Sequence, residues 1–204
     1  MAGIRTPLQT APVTLTGRFV RLEPLTVAHG DALAAFAYEP SIWDWMPTRV
    51  LDRAGLDAWI GEALAAQKGG TALPFATVLL DGNRMVGSTR FLNISARDGR
   101  VEIGATWIGV PYQRSAVNTE AKLLMLGHAF ETLGATRVEL KTHSENVKSR
   151  RAIERIGAKF EGTHRKHMLH NDGSRRDTVW YSIVDDEWPE VRARLETKLL
   201  GGTR

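Results

Sequence analysis

The sequence predicts an α/β domain with a mixed central sheet, in which an antiparallel N-terminal meander runs into parallel central strands flanked by helices. Three observations carry this. Between Leu73 and Val110, three strand-like runs are separated by Asp81-Gly82 and Asp98-Gly99, dipeptides that supply the turn chemistry of hairpins. From Val101 to Phe130 the chain reads strand, tight loop, helix, and Arg137–Thr142 then alternates as another strand; a helical crossover between neighbouring strands favours parallel pairing. Near the end, two further strand-like runs flank Asn171-Asp172-Gly173-Ser174, another hairpin signal. With 204 residues the simplest organisation is one domain over residues 13–200, with residues 1–12 as a loose tail.

Taken in order, Phe19, Val20 and Leu22 follow a turn at Gly17 as a first strand. A helix is predicted over Val27–Tyr38, with Leu33, Ala34, Phe36 and Ala37 on its apolar side. Glu39–Pro47 breaks the pattern, two prolines bracketing Trp43, Trp45 and Met46. Aromatic side chains in such a loop either line a cleft or fold over the domain's own core. A second helix over Asp52–Lys68 is stopped by Gly69-Gly70. The strand Val101–Val110 ends where Pro111 removes a ladder donor. Leu123, Leu126, Phe130 and Leu133 then recur at helical spacing. A further helix runs from Asn146 to Gly157, and Asp185–Leu200 reads as a closing helix interrupted by Pro189.

Composition is that of a globular protein, 43% hydrophobic and 25% charged, with a formal charge of +4 that suits a polyanionic ligand. The chain has no cysteine, which excludes a disulfide, a cysteine–zinc site and a thiol nucleophile. No apolar run has signal-peptide or membrane-spanning character, so a soluble, cytoplasmic protein with no membrane partner is expected. His164, His167 and His170 invite a metal, but a three-residue step does not align side chains on one strand face, and no metal is expected. Nucleic acid ranks last among partners, because no recognised binding motif accompanies the basic surplus.

The loop between the central strand and its helix, Gln113-Arg114-Ser115-Ala116-Val117-Asn118, is small or polar and holds one permanent cation. A helix amino end presents unpartnered N–H groups and a partial positive charge, so this loop suits a diphosphate, or is simply a loop capped by Ser115 or Asn118. The segment resembles the acyl-CoA motif of the GNAT N-acetyltransferases, Gln/Arg-x-x-Gly-x-Gly/Ala, with Gln113 in first place. The wider run PYQRSAVNTEAKLLMLGHAFE, followed by VELKTHSENVKSRRAIERIGA, is similar to the RimJ/RimL-type branch, and the likeness extends from about Leu15 to Ile183. Ala116 and Asn118 stand where the general motif has Gly and Gly or Ala. Because Ala takes a positive φ only with strain, ordinary backbone angles are expected at position 116.

The resemblance implies the GNAT fold, acetyl-CoA as acyl donor, and an amine acceptor, either a protein N-terminal amine or a small molecule; it also allows a homodimer. Direct transfer needs the thioester and amine held together, a base for the ammonium, and donors for the oxyanion and the departing thiolate. Ile108, Gly109 and Val110 are placed to pair with an extended pantetheine arm and to offer an N–H to the thioester oxygen. Glu102 lies on the same strand, and a glutamate here is a proposed base in RimJ/RimL-like proteins; its alternative is a solvent-facing strand residue. Asn146 and Ser149 match an Asn-x-x-Ser pattern in which the first holds the pantetheine and the second faces the sulfur, although Asn146 also reads as a helix cap. Lys148, Arg150 and Arg151 read as a solvated helix face more readily than as phosphate ligands. Trp43, Trp45 and Met46 are implied to border the amine. A second reading is a protein that binds acyl-CoA as an effector without turnover.

Overall fold

The computed structural model describes Leu8 and residues 11–201. The expected tail falls largely outside the described residues, but Leu8 is buried against the main core. The elements are β1 (Leu15–Thr16), β2 (Val20–Pro24), α1 (Gly30–Ala37), α2 (Arg53–Lys68), β3 (Leu73–Leu79), β4 (Arg84–Ser95), β5 (Arg100–Ile108), α3 (Ala116–Gly127), β6 (Arg137–His143), α4 (Val147–Arg155), β7 (Lys159–Leu169), β8 (Arg175–Val184) and α5 (Trp188–Gly201).

All eight strands form one sheet in the order β1-β2-β3-β4-β5-β6-β8-β7, antiparallel throughout except for the β5–β6 pair. The hairpin turns sit where Asp-Gly predicts them, with Gly82 at φ 75° and Gly99 at φ 64°. In the last hairpin it is β8, not β7, that lies against β6, which leaves β7 at the edge. The closing helix is not interrupted by Pro189, which occupies its first turn. There the missing N–H has no intrahelical partner to lose and the fixed φ suits the helix.

Alternation along the strands feeds two cores on opposite faces of the sheet. Phe75, Val101, Ile103, Ile108 and Val138 pack beneath α3 and α5. Ala76 and Trp107, the neighbours of Phe75 and Ile108, point the other way into the core under α1 and α2. Trp43, Trp59 and Trp107 meet there with ring centroids 5.9–6.2 Å apart. Such aromatic pairs add about 0.5–1.5 kcal/mol each beyond their buried area. Toward the β6/β8 end of that face the strands carry polar side chains, among them the buried Glu102, Arg176 and Thr178, and the Trp43–Met46 loop is tied down there.

Candidate active site

The sheet opens at its centre. β5 and β6 pair for three residues only, Arg100–Arg137, Val101–Val138 and Glu102–Glu139, although β5 continues to Ile108 and β6 to His143. The cause lies in β5: Ala105 takes a left-handed φ of 46°, and the register with β4 shifts between Ser88 and Arg90. Such a bulge adds a residue to one strand and bends it. Beyond it the Gly109 N–H donates to the Val86 carbonyl at 2.7 Å. That makes Gly87–Ile108 a pair without mutual hydrogen bonds, so the N–H and C=O of Ile108 point away from β4, into the opening. Of the residues expected to offer a backbone donor, Gly109 is therefore committed to the sheet and Ile108 is not.

The loop beyond β5 closes on itself. Val110–Tyr112 forms a single tight turn, and the Tyr112 hydroxyl accepts from Arg84 Nη1 at 2.5 Å. Gln113 folds back: its Nε2 donates to the Ile108 carbonyl at 2.9 Å, while its Oε1 accepts from Lys148 Nζ of α4. The carbonyl expected to pair with an extended ligand is thus held by the protein's own side chain, which leaves the N–H of Ile108 for a ligand in the opening. The left-handed residue is Arg114, at φ 60°, while Ala116 is the first helical residue with ordinary angles, as its side chain requires. Ser115 caps α3: its Oγ accepts from the Val117 N–H at 3.3 Å and donates to the Tyr112 carbonyl at 2.6 Å. The cap takes only one of the unpartnered first-turn N–H groups. Asn118 adds a buried Oδ1 with no hydrogen-bond partner.

What fixes this helix end in space is Glu120. Its carboxylate accepts from the backbone N–H groups of Arg18, Phe19 and Val20 at 2.8, 2.6 and 2.7 Å. Gly17 has to lack a side chain there, because a Cβ would strike that carboxylate. Two residues on, Lys122 is buried with Nζ 2.8 Å from Thr106 Oγ1 and 3.3 Å from Thr89 Oγ1. Burial without a carboxylate partner pushes its pKa down to about 7. A lysine inside the apolar run Ala121–Leu126 was the available signal for this site.

On the β6 side, Asn146 caps α4, its Oδ1 accepting from the Ser149 N–H at 3.0 Å. The Ser149 residue is half-buried, and among the described residues its hydroxyl hydrogen-bonds no other side chain. Arg150 is tied to the Tyr181 hydroxyl (3.2 Å) and the Ser144 carbonyl (3.2 Å), and so contributes to the fold.

Glu102 lies on the face opposite α3 and is 1% exposed. Its Oε2 accepts from Asn93 Nδ2 at 2.7 Å and from Lys141 Nζ at 3.0 Å. Its Oε1 faces Gly104, where a Cβ would lie 2.9 Å away, and the glycine thereby keeps that oxygen clear. Glu102 is therefore not a solvent-facing strand residue.

The aromatic loop divides. Trp43 does not border the opening: it is fully buried between Trp59 and Trp107, its indole N–H donating to the Ala37 carbonyl at 2.7 Å. The ring packs between Trp59 of α2 and Trp107 of β5, and burying that much apolar surface outweighs a loop position. Trp45 is 38% exposed and lies against His143 at the end of β6, ring centroids 4.9 Å apart. Met46 is half-buried on the second core. The tip of the β7–β8 hairpin latches this loop down. Asn171 Nδ2 donates to the carbonyls of Trp43 (3.0 Å) and Met46 (2.9 Å), and Arg176 Nη1 to that of Trp45 (3.2 Å).

The three-residue histidine step behaves differently from its sequence expectation. Lys166 takes φ 50° and the β7 register shifts between His164 and Met168, so His164 and His167 share a face, ring centroids 5.3 Å apart. Among the described residues no group of three or more His, Asp or Glu side chains is arranged to hold a metal ion. A depression of about 320 Å³ lies at the other end of β6, lined by Arg100, Arg137, Glu139, Glu161, His164 and Trp180. Its arginines and glutamates pair with one another, so it presents no unmatched charge.

A family profile described as an acetyltransferase (GNAT) domain matches residues 20–159. YdaF of Bacillus subtilis (strain 168), provisionally named a ribosomal N-acetyltransferase, is 34% identical over 113 residues; the match spans 55% of this chain and 60% of that relative. The crystal structure of a GCN5-related N-acetyltransferase from Brucella melitensis superimposes with a TM-score of 0.88 at 34% identity, covering 96% of this chain and 90% of that one. Mycobacterium smegmatis RimJ, solved in complex with CoA-disulfide, shares the fold with a TM-score of 0.80 at 22% identity, over 92% of this chain and 95% of its own. No described helix is long and apolar enough to cross a membrane.

Proposed function

The chain belongs to the GNAT acetyltransferase family, and from that premise we propose that it is an acetyl-CoA-dependent N-acetyltransferase acting on a primary amine by direct attack in a ternary complex. The likeness to YdaF and the RimJ fold support the RimJ/RimL-type branch. The observation that carries the reading is the opening of β5 from β6 directly beside the amino end of α3. Acetyl-CoA, when bound, supplies the acetyl group as an activated thioester.

The residues fit that group. Arg114 and the first-turn N–H groups of α3, with Ser115, Ala116, Val117 and Asn118, hold its diphosphate at the positive end of the helix. Gln113 and Lys148 close the mouth of the opening over it. The buried Asn118 Oδ1 accepts from an amide of the extended arm, which satisfies an atom that otherwise lacks a partner. The Ile108 N–H donates to the carbonyl oxygen as charge develops there. Val110 walls the loop end of β5, and Asn146, its Oδ1 spent on the cap, keeps its Nδ2 for the arm. The Ser149 hydroxyl donates to the departing sulfur. Glu102 Oε1 takes the ammonium proton, directly or through a water, while Lys141 and Asn93 hold the carboxylate in place. Trp45 and Met46 border the acceptor.

Release of CoA on addition of amines tests this directly. Glu102→Gln is expected to lower kcat/KM at least tenfold near pH 7, with the deficit shrinking once the pH exceeds the acceptor amine's own pKa. An unchanged pH–rate profile would remove Glu102 from the base role. One observation favours a second reading, an effector that binds acyl-CoA without turnover: Glu102 is engaged by both Lys141 and Asn93. Under it, acetyl-CoA raises Tm and no amine releases CoA.

A further inference from the structure

Four polar atoms buried without a hydrogen-bond partner fall on one short stretch of chain: His170 Nε2, Arg176 Nε, Thr178 Oγ1 and Trp180 Nε1. Alternation along β8 puts Arg176, Thr178 and Trp180 on one face, opposite the core residues Val179 and Tyr181. Register places Thr178 beside His143 of β6, and Trp180 beside Lys141. This is the face that carries Glu102, and it lies under the latched Trp43–Met46 loop.

Arg176 is the unusual member. It is 4% exposed, yet among the described residues it forms no ion pair, and its one hydrogen bond goes to a neutral carbonyl. Burying a guanidinium without a counter-charge is costly, and stable folds avoid it unless something supplies the charge. The acid whose field reaches it, Glu102, is already bound to Lys141 at 3.0 Å. Lys141 and Glu102 cancel, so Arg176 leaves the face with one unmatched positive charge. The nearby histidines do not reverse this: burial and the adjoining cations hold His143 and His167 toward their neutral forms. Arg90 gives the contrast. It is as deeply buried, but its guanidinium lies 4.0 Å over the Trp59 ring, which offers a π-face to the charge.

Resting on the acetyl-transfer reading, we infer that the acceptor is a small amine that also carries a carboxylate, and that Arg176, flanked by Thr178 and His170, binds that carboxylate beneath the latch. The amine end is then directed along the sheet face toward Glu102 and the opening between β5 and β6. An α-amino or β-amino acid has this shape: its ammonium meets the Glu102 carboxylate, and its own carboxylate meets the cation that has no acidic partner. A protein N-terminus offers only a neutral carbonyl next to its amine. In the reaction the ammonium gives up a proton, its nitrogen bonds the acetyl carbon, and the C–S bond breaks with its electron pair going to sulfur. An ammonium and a thioester become an amide, a thiol and one released proton.

The test is a CoA-release assay on the full chain with the common L-amino acids, their carboxamides and their decarboxylated amines, plus a short peptide with a free N-terminus. At least one amino acid is expected to exceed its own carboxamide and amine 30-fold or more in kcat/KM. Arg176→Met should erase that ratio to within about threefold, chiefly by raising KM, and Arg176→Lys should restore part of it. A Tm increase with acetyl-CoA in both variants shows that they fold. Equal rates for carboxylate and carboxamide forms, a preference for the peptide, or an undiminished ratio in Arg176→Met would each overturn the carboxylate assignment and leave acetyl transfer standing. Acetyl-CoA binding with no turnover of any acceptor would overturn both.

Discussion

The two ends of the opening are built by different means. At the donor end the contacts are local: Gln113 reaches back five residues to Ile108, Ser115 three to Tyr112, and the cap two to Val117. At the acceptor end they span the chain, with Asn171 and Arg176 holding carbonyls 125 to 131 residues away. A locally encoded site keeps its shape wherever its segment docks, whereas a site assembled at long range exists only once the domain has closed. The donor end also has two contacts of middle range, Arg84 to Tyr112 over 28 residues and Lys148 to Gln113 over 35, and one long-range exception, the Glu120 anchor, which ties α3 to the β1–β2 turn about 100 residues earlier.

That exception should give the largest effect. Glu120→Ala orphans the buried Val20 N–H and takes the acceptor from the part-buried Arg18 and Phe19 N–H groups; at about 1–3 kcal/mol for a buried unsatisfied group and less for the other two, a loss of roughly 2–5 kcal/mol is expected by urea unfolding. A change under about 1 kcal/mol would mean that α3 is held by its apolar face alone. Asn171→Ala removes two hydrogen bonds from the latch and should lower stability by about 1–2 kcal/mol. Its diagnostic is a raised KM for the acceptor with an unaltered Tm increase from acetyl-CoA. Equal damage to both would dissolve the distinction between the two ends.

Lys122 sits between them, on α3 but against the strand residues Thr89 and Thr106. Burial lowers its pKa from 10.5 to about 7, so between those values the unfolded chain holds a proton that the folded chain lacks. Stability contributed by this group therefore rises as the pH goes up from 7 toward 10.5, and its deficit is fullest at and below pH 7. Lys122→Met should raise Tm by roughly 3–6 °C at pH 7 and by progressively less at pH 8 and 9. A gain independent of pH would refer the effect to packing.

The smallest effects belong to the loop. Arg114→Gly relieves a left-handed non-glycine residue and should stabilise by about 0.5–1 kcal/mol while weakening acetyl-CoA binding a few-fold through the lost cation. Ala116→Gly, which reverses one of the two departures from the general motif, should cost a few tenths of a kcal/mol and leave affinity within about twofold, because position 116 is helical.

Much of this was legible in the residues. Asp-Gly pairs set the hairpins, Pro111 ended β5, Ser115 and Asn146 capped their helices, and the strand, crossover helix and strand order made β5 and β6 parallel. For Trp43 the residues leave a cleft-lining ring and a core ring equally open, and only the family resemblance points to the acceptor, because a loop bracketed by two prolines looks alike in sequence whichever way a ring turns. The slot that received it is formed by Trp59 and Trp107, 16 and 64 residues further on, which no local pattern reports. His164 and His167 came together for a similar reason: a three-residue step misaligns side chains only on a regular strand, and the bulge at Lys166 was set by pairing with β8.

By itself, then, the sequence determined most of the elements, with their turns and caps, and the polar loop at the head of α3, because those depend on backbone chemistry within a few residues; it did not report the two-residue strand β1 or the continuity of α5 through Pro189. The tertiary structure alone decided that β5 would part from β6 after Glu102, that β8 rather than β7 would lie inside the sheet, and that Arg176 would be buried beside no acid. Each of these follows from which distant surfaces exclude water together. Burial of a charge is a property of its surroundings and not of the residue that carries it.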